Sequence, residues 1–205
     1  MKPTQNSLIN SAQHGDMDAF NTLVLNHQDM LYRIALRIVH DEDIAQDALQ
    51  EAMIHAFRHI QSFRGGNFKS WLARVTVNAS YDELRRGRRH SGTPLEVFTS
   101  EGEEVESPDW MRDPATGPEA RAEASELRSA LHQCIKSLMP DYRLMVILVD
   151  MEGMSYEEAA YVAHVPVGTV KSRLARARMQ IRKSMHSYRS LLPAFYQMDM
   201  MPSVS

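Results

Sequence analysis

Residues 155–183 read SYEEAAYVAHVPVGTVKSRLARARMQIRK, and this stretch decides the fold. Ser155 and Glu158 fit a capping box, in which the serine oxygen takes a free backbone N–H and the glutamate reaches back to the N-cap N–H. Ala159, Ala160, Val162 and Ala163 are small and apolar, which allows a helix to approach a partner closely. His164-Val165-Pro166 breaks that helix, because proline lacks an N–H and suits the first turn of a new one. Beyond it Val170, Leu174, Ala177 and Ile181 recur at spacings of three or four, the mark of one buried stripe. Lys171, Arg173, Arg176, Arg178, Arg182, Lys183 and Arg189 fall mainly off that stripe, and no acid intervenes between Glu158 and Asp199. Helix, short turn, basic helix is the helix-turn-helix pattern, whose second helix enters the DNA major groove N-terminus first. Gly168 and Thr169 sit at that N-terminus, where an anion is favoured. Lys171, Ser172, Arg173 and Arg176 follow and can divide between phosphates and base edges.

The chain has 205 residues and a net charge of −3, room for one or two domains with their own cores. The small net charge hides segregation. Glu96, Glu101, Glu103, Glu104, Glu106, Asp109 and Asp113 make the middle acidic, and basic clusters flank it. Cys134 is the single cysteine, so no internal disulfide and no cysteine-based metal site forms. It falls at helical spacing with Leu127, Ala130, Leu131, Ile135 and Leu138 and reads as a core thiol. No apolar segment has signal-peptide or transmembrane character, so a cytoplasmic protein without membrane insertion is expected.

Upstream the pattern is all helical. Helices are expected over residues 16–25, 29–39, from just after Asp41 to Phe57, and over 69–86. The glycines of Phe63-Arg64-Gly65-Gly66-Asn67 mark a loop. Residues 93–122 carry Pro94, Pro108, Pro114 and Pro118 and read as a flexible acidic linker. Helical pattern resumes near Glu119, breaks at Pro140, and returns over 142–151. The Met-rich residues 189–205 read as a tail. An all-α chain of two helical domains, 1–92 and 123–188, follows.

The first domain carries two further constellations. Asp41, Glu42, Asp43, Gln46, Asp47, Gln50 and Glu51 give one helix a polar, acidic face, suited to docking on a basic helix or simply to solvation. Phe63, Phe68 and Trp71 interleave with Arg64, Lys69, Arg85, Arg86, Arg88 and Arg89. Aromatic and basic residues together suit a single strand, where bases stack and phosphates are neutralised. Phe57 and Trp71 are better read as core, whereas Arg64, Asn67, Lys69, Asn78 and the arginines read as nucleic-acid contacts.

In order and spacing these segments resemble the extracytoplasmic-function sigma factors of bacterial RNA polymerase, over nearly the whole chain except the tail. Residues 41–51, DEDIAQDALQE, resemble the segment that docks on the β′ coiled coil. Phe63-Arg64-Gly65-Gly66 with Trp71-Leu72 resembles the promoter-opening loop and helix, and Tyr81-Asp82-Glu83-Leu84-Arg85-Arg86 the end of the minus-ten-reading helix. Pro166-Val167-Gly168-Thr169-Val170-Lys171-Ser172-Arg173 resembles the minus-thirty-five-reading helix. The loop before Trp71 is one residue shorter than the familiar form, and Ala175 stands where some relatives carry a bulky side chain.

The resemblance implies a sigma2-like domain, a sigma4-like helix-turn-helix domain and a linker threaded through the polymerase. It implies core-polymerase contacts from Asp41, Asp43, Gln46, Asp47, Gln50 and Glu51 to the β′ coiled coil, with the β flap as a further contact. Minus-ten contacts would come from Arg64, Asn67, Lys69, Asn78, Arg85, Arg86, Arg88 and Arg89, and minus-thirty-five contacts from Gly168, Thr169, Lys171, Ser172, Arg173 and Arg176. Duplex and melted promoter DNA, an anti-sigma partner and a role in a stress response are implied as well. No cofactor, metal or catalytic residue is expected, since no phosphate-binding glycine loop and no spaced histidine motif is present. A stand-alone helix-turn-helix regulator is the alternative; it would need neither the acidic face nor the aromatic-basic loop.

Overall fold

The computed structural model describes the backbone of residues 4–91 and 118–191, and the side chains of residues 4–87 and 124–188. The described residues form helices and no strand. In chain order they are α1 (Gln5–Gln13), α2 (Met17–Leu25), α3 (Gln28–Val39), α4 (Glu42–His59), α5 (Phe68–Ser91), α6 (Pro118–Lys136), α7 (Pro140–Met145), α8 (Tyr156–Ala163) and α9 (Val167–Met185). Packing divides the chain into two compact units. Residues 1–103 and 147–167 make the first, and residues 104–146 and 168–205 the second.

Local chemistry sets the boundaries in the first unit. Asp16 and Asp41 are N-caps, accepting from the N–H groups of Ala19 at 3.0 Å and Ile44 at 2.9 Å. His40 ends α3 in the left-handed conformation at φ 60°, and its N–H donates to the Leu36 carbonyl at 2.8 Å. The stripe Leu31, Ile34, Ala35 and Ile38 of α3 is buried, as is the alanine ladder Ala45, Ala48, Ala52 and Ala56 of α4. Those alanines leave room for α5 to pack against α4, and α5 packs on α3 as well. Within α5, Thr76 and Ser80 are fully buried and bond back to the carbonyls of Leu72 at 3.1 Å and Thr76 at 2.8 Å.

The aromatic residues around the glycine loop are core. Phe63, Phe68 and Trp71 are buried with ring centroids 5.4–5.6 Å apart, and Phe20 meets Phe57 edge-on at 5.2 Å. Helix α1, not anticipated from the sequence, braces this cluster: the Gln13 amide donates to the carbonyls of Ile60 at 3.2 Å and Phe63 at 2.9 Å. His27 lies beside Phe68 with ring centroids 6.4 Å apart. Burial, and secondarily the charge of Lys69, push the His27 pKa below its ordinary value of 6.5. The folded state therefore takes up this proton less readily than the unfolded chain. Its contribution is complete above the ordinary histidine value and is lost as pH falls through the lowered one. Between about pH 7.5 and about 5.5 the midpoint of thermal unfolding should drop, and drop less in His27→Gln; equal slopes for the two proteins would remove His27 from the account.

In the second unit Cys134 is buried with Ala130 and Met185, flanked by Leu127 and Ile181. Burial raises the thiol pKa, which disfavours the reactive thiolate. Pro140 opens α7 from its first turn, and the chain leaves α7 through a π-helical stretch, Val146–Met151. Helix α6 starts at Pro118, so its first turns reach into the stretch read as linker. Residues 93–117, with their acids, and tail residues 192–205 lie outside the described residues.

Candidate nucleic-acid interface

Helix α4 presents a continuous polar face. Asp43, Gln46, Asp47, Gln50 and Glu51 are exposed at spacings of three and four, opposite the buried alanine ladder. Asp41 differs from the others, because its carboxylate is occupied in capping the helix. Ile44 and Ile54 add exposed apolar surface on the same helix. His55 and His59 are also exposed and stack on each other with ring centroids 5.2 Å apart.

The loop before α5 rises from the aromatic cluster. Gly65 and Gly66 have φ of 98° and 95°, conformations costly for any residue with a Cβ. They turn the chain so that Arg64 is exposed and Asn67 caps α5, its side-chain oxygen accepting from the Ser70 N–H at 3.2 Å. Lys69 is half-buried and Asn78 exposed. Farther along α5, Arg85 pairs with Asp82 at 2.5 Å and Arg86 with Glu83 at 2.6 Å. Both arginines are well exposed, so these pairs are weak and exchangeable for phosphate. The side chains of Arg88 and Arg89 lie outside the described residues.

Helix α8 carries the expected capping box, with Glu158 N–H to the Ser155 hydroxyl at 3.1 Å and Ser155 N–H to the Glu158 carboxylate at 2.8 Å. It ends at His164, left-handed at φ 55°. The Val165 N–H then donates to the Ala160 carbonyl at 3.1 Å, the six-to-one bond of a Schellman motif. In α9, Val170, Leu174 and Ala177 are buried. Gly168, Lys171, Ser172, Ala175 and Arg176 are exposed and Thr169 is half-buried. Arg173 is engaged with Asp141 of α7 at 2.5 Å, a partner far away in sequence that periodicity does not reveal.

The first unit contains a further cluster that sequence reasoning missed. Residues 147–167 bring Glu152, Glu158 and Tyr161 to α3 and α5. Arg33 holds Glu152 through Nε at 3.2 Å and Nη2 at 2.8 Å, and Arg37 also pairs with Glu152. The hydrogen bond to Glu152 raises the Arg33 pKa above its ordinary value. Asn67 donates its amide to Glu158, the Ser70 hydroxyl reaches the same carboxylate at 3.4 Å, and the Arg74 guanidinium lies over the Tyr161 ring, 5.3 Å from its centre.

Two family models match the chain: Sigma-70 region 2 over residues 23–90, and Sigma-70 region 4 over residues 128–181. The RNA polymerase sigma-H factor of Pseudomonas aeruginosa is 39% identical over 180 residues, 87% of this chain and 92% of that protein. The ECF RNA polymerase sigma-E factor of Escherichia coli K12 is 37% identical over the same shares. The chain belongs to the extracytoplasmic-function sigma factors. Among solved structures, the sigma factor RpoE bound to the anti-sigma factor NepR from Bartonella quintana is similar at a TM-score of 0.62 and 25% identity, covering 82% of this chain and 96% of that one. The fold of CnrH, solved with the cytosolic domain of CnrY, is also similar, at a TM-score of 0.61 and 24% identity over 88% of this chain and 96% of that one. The family match places the acidic face of α4 and the loop before α5 in region 2, and the basic face of α9 in region 4. Among the described residues of this sigma factor no three potential metal ligands cluster, and no helix is long and apolar enough to cross a membrane.

Proposed function

We propose that this sigma factor confers promoter recognition on core RNA polymerase in the cytoplasm, with its two family regions gripping two promoter elements. The acidic face of α4 is the observation that carries this reading. Asp43, Gln46, Asp47, Gln50 and Glu51 are exposed on one stripe of a helix whose fold rests on the opposite one. A stand-alone regulator has no use for such a surface, whereas a basic coiled coil of the β′ subunit is its electrostatic complement. In region 2, Arg64, Asn67, Lys69, Asn78, Arg85, Arg86, Arg88 and Arg89 hold the displaced strand of the melted minus-ten element. The buried aromatic cluster fixes the loop geometry rather than offering its own rings to bases. Unstacking costs a few kcal/mol per base, and contacts to bases held outside the stack offset it without ATP.

In region 4 the N-terminus of α9 meets the minus-thirty-five duplex. Gly168 and Thr169 admit a phosphate, while Lys171, Ser172 and Arg176 approach backbone and base edges. Arg173 joins them by exchanging Asp141 for phosphate. The β flap and an anti-sigma protein are further partners; the similar structure of a sigma factor bound to an anti-sigma factor supports the latter. The relatives and the two-region layout favour a non-catalytic initiation factor over an enzyme.

Core-dependent run-off transcription tests the assignment as a whole, and Arg176→Ala tests region 4. If Arg176 contacts a base, the substitution costs roughly 1–3 kcal/mol on the cognate element and relaxes specificity. If it contacts phosphate, affinity falls on all sequences and the salt slope drops by about one. Unchanged affinity and slope would place Arg176 outside the interface.

A further inference from the structure

Between α4 and α5 the chain makes a short 3-10 turn, Ile60–Ser62, and then the loop Phe63-Arg64-Gly65-Gly66-Asn67. Gly65 and Gly66 give that loop little shape of its own, because glycine samples more backbone than any other residue. Beyond the chain neighbours, nothing stands within 4 Å of the place a Cβ would take on either glycine. The direction in which Arg64 and Asn67 are presented is therefore set by the two ends of the loop.

The far end is fastened locally. The Asn67 side-chain oxygen accepts from the Ser70 N–H at 3.2 Å, and Phe68 beside it is buried. The near end is fastened by α1, some fifty residues earlier. The Gln13 Nε2 donates to the Ile60 carbonyl at 3.2 Å and to the Phe63 carbonyl at 2.9 Å, which uses both N–H groups of the amide. These carbonyls have different jobs. That of Ile60 also accepts the Phe63 N–H at 3.0 Å and so closes the turn. That of Phe63 lies in the peptide plane shared with Arg64. Fixing its direction fixes the Phe63 ψ, 108°, the torsion from which the loop departs. The Gln61 amide returns a longer bond to the Gln13 carbonyl at 3.4 Å, so α1 and the turn clasp each other.

The seating of α1 does not depend on this amide. Ile9 and Ala12 are the buried residues of that helix, whereas Gln13 is half-buried. The match to Sigma-70 region 2 begins at residue 23, so Gln13 acts on the loop of that region from outside it.

We propose that Gln13 is a positioning residue for promoter opening: its amide fixes the Phe63–Arg64 peptide and holds the loop in the form that receives the displaced minus-ten strand. The role rests on the function proposed above. A loop ordered before the strand arrives loses little further freedom on binding, whereas a loosened loop is ordered at that step and weakens the open complex. Docking on core polymerase uses the face of α4 and does not draw on the clasp.

The test compares full-length wild type, Gln13→Met, Gln13→Asn and Gln5→Met, each reconstituted with core polymerase. Methionine keeps the length of the side chain and loses both donors. Asparagine keeps the amide one methylene short of the two carbonyls and disturbs packing less, should the methionine variant fold poorly. Gln5 is exposed in the first turn of α1, so its variant makes the same exchange away from the loop. Each holoenzyme is assayed on a promoter it selects, once fully paired and once with the minus-ten element already unpaired by mismatches. Core affinity is read by fluorescence titration. On the paired template both Gln13 variants should shorten the open-complex lifetime by roughly fivefold or more, the worth of about one hydrogen bond. On the unpaired template their transcript yield should match wild type, as should their core affinity, and Gln5→Met should match wild type throughout. Equal losses on both templates, or a parallel loss of core affinity, would make Gln13 merely structural and overturn the proposal. A wild-type open-complex lifetime in both Gln13 variants would overturn it as well. Absence of any core-dependent transcript from the wild-type protein would overturn the sigma reading instead.

Discussion

Phe68→Ala is expected to unfold or nearly unfold the first unit at physiological temperature. Phe68 is 1% exposed and packs against Phe63 at 5.4 Å and Trp71 at 5.6 Å. Truncating such a ring removes its burial and leaves a cavity, at a cost of about 3–5 kcal/mol. For a unit of this size each kcal/mol lowers the melting midpoint by about 3–6 °C, so a fall of at least about 9 °C is expected. The consequence is functional as well as structural, because the same cluster sets the angle at which Gly65 and Gly66 deliver Arg64 and Asn67. Phe68→Leu, which keeps most of the volume, should lose far less. Calorimetry or thermal circular dichroism on both variants measures the difference; a shift of only a few degrees for Phe68→Ala would mean that the cluster is not the core of this unit.

The double reversal Asp47→Arg and Glu51→Arg is expected to abolish productive association with core polymerase while leaving the fold intact. Both side chains are exposed on α4, and the packing of that helix rests on Ala45, Ala48, Ala52 and Ala56. Arg86 lies 4.0 Å from Glu51 in an exposed pair and contributes little to folding. Against a basic partner helix, two attractions become two repulsions, and like charges across an interface cost several kcal/mol. A loss of affinity of about 100-fold, or about 2.7 kcal/mol, is a conservative expectation. The loss should shrink as added salt screens the exposed charges. Fluorescence titration of labelled protein with core enzyme, with circular dichroism as the folding control, measures it. Wild-type affinity in the double variant would show that this face of α4 is merely solvated.

Much of the fold was written in local signals. Asp16, Asp41 and Ser155 announce helix starts because a side-chain oxygen there satisfies a free N–H. The stripes of α3 and α9 repeat at the helical period, and their residues are buried as expected except Ile181, which is half-buried. What stayed hidden has physical reasons. Helix α1 has few apolar residues, and its anchoring runs through the Gln13 amide, which no periodicity marks. The apolar run of residues 146–149 reads as helix whichever backbone bond it makes, so its π-helical geometry is silent in sequence. Pro140 reads as a break, and helix α6 does end before it, at Lys136; the proline itself is the opening residue of α7, ahead of the expected start at Tyr142.

For the candidate site, residue type names candidate contacts in region 2 but does not tell which of those side chains are already engaged within the fold. The aromatic-basic alternation suggested stacking rings. The loop must be held rigid, and Phe63, Phe68 and Trp71 are used for that. Arg173 and Asn67 are both engaged, by Asp141 and Glu158, through contacts between segments distant in sequence. The same distance hid Glu152, which reads as one more acid in a mixed segment and proves to be almost wholly enclosed by two arginines.

As a sigma factor, this chain turns core polymerase into a promoter-specific enzyme. Run-off transcription with purified core enzyme tests it most directly, using templates selected from a random duplex pool by the reconstituted holoenzyme. A discrete transcript is expected that requires both core and this protein, and that disappears when either selected promoter element is scrambled. Binding to the selected duplex without core, coupled with no transcript when core is supplied, would contradict it and leave a stand-alone helix-turn-helix regulator.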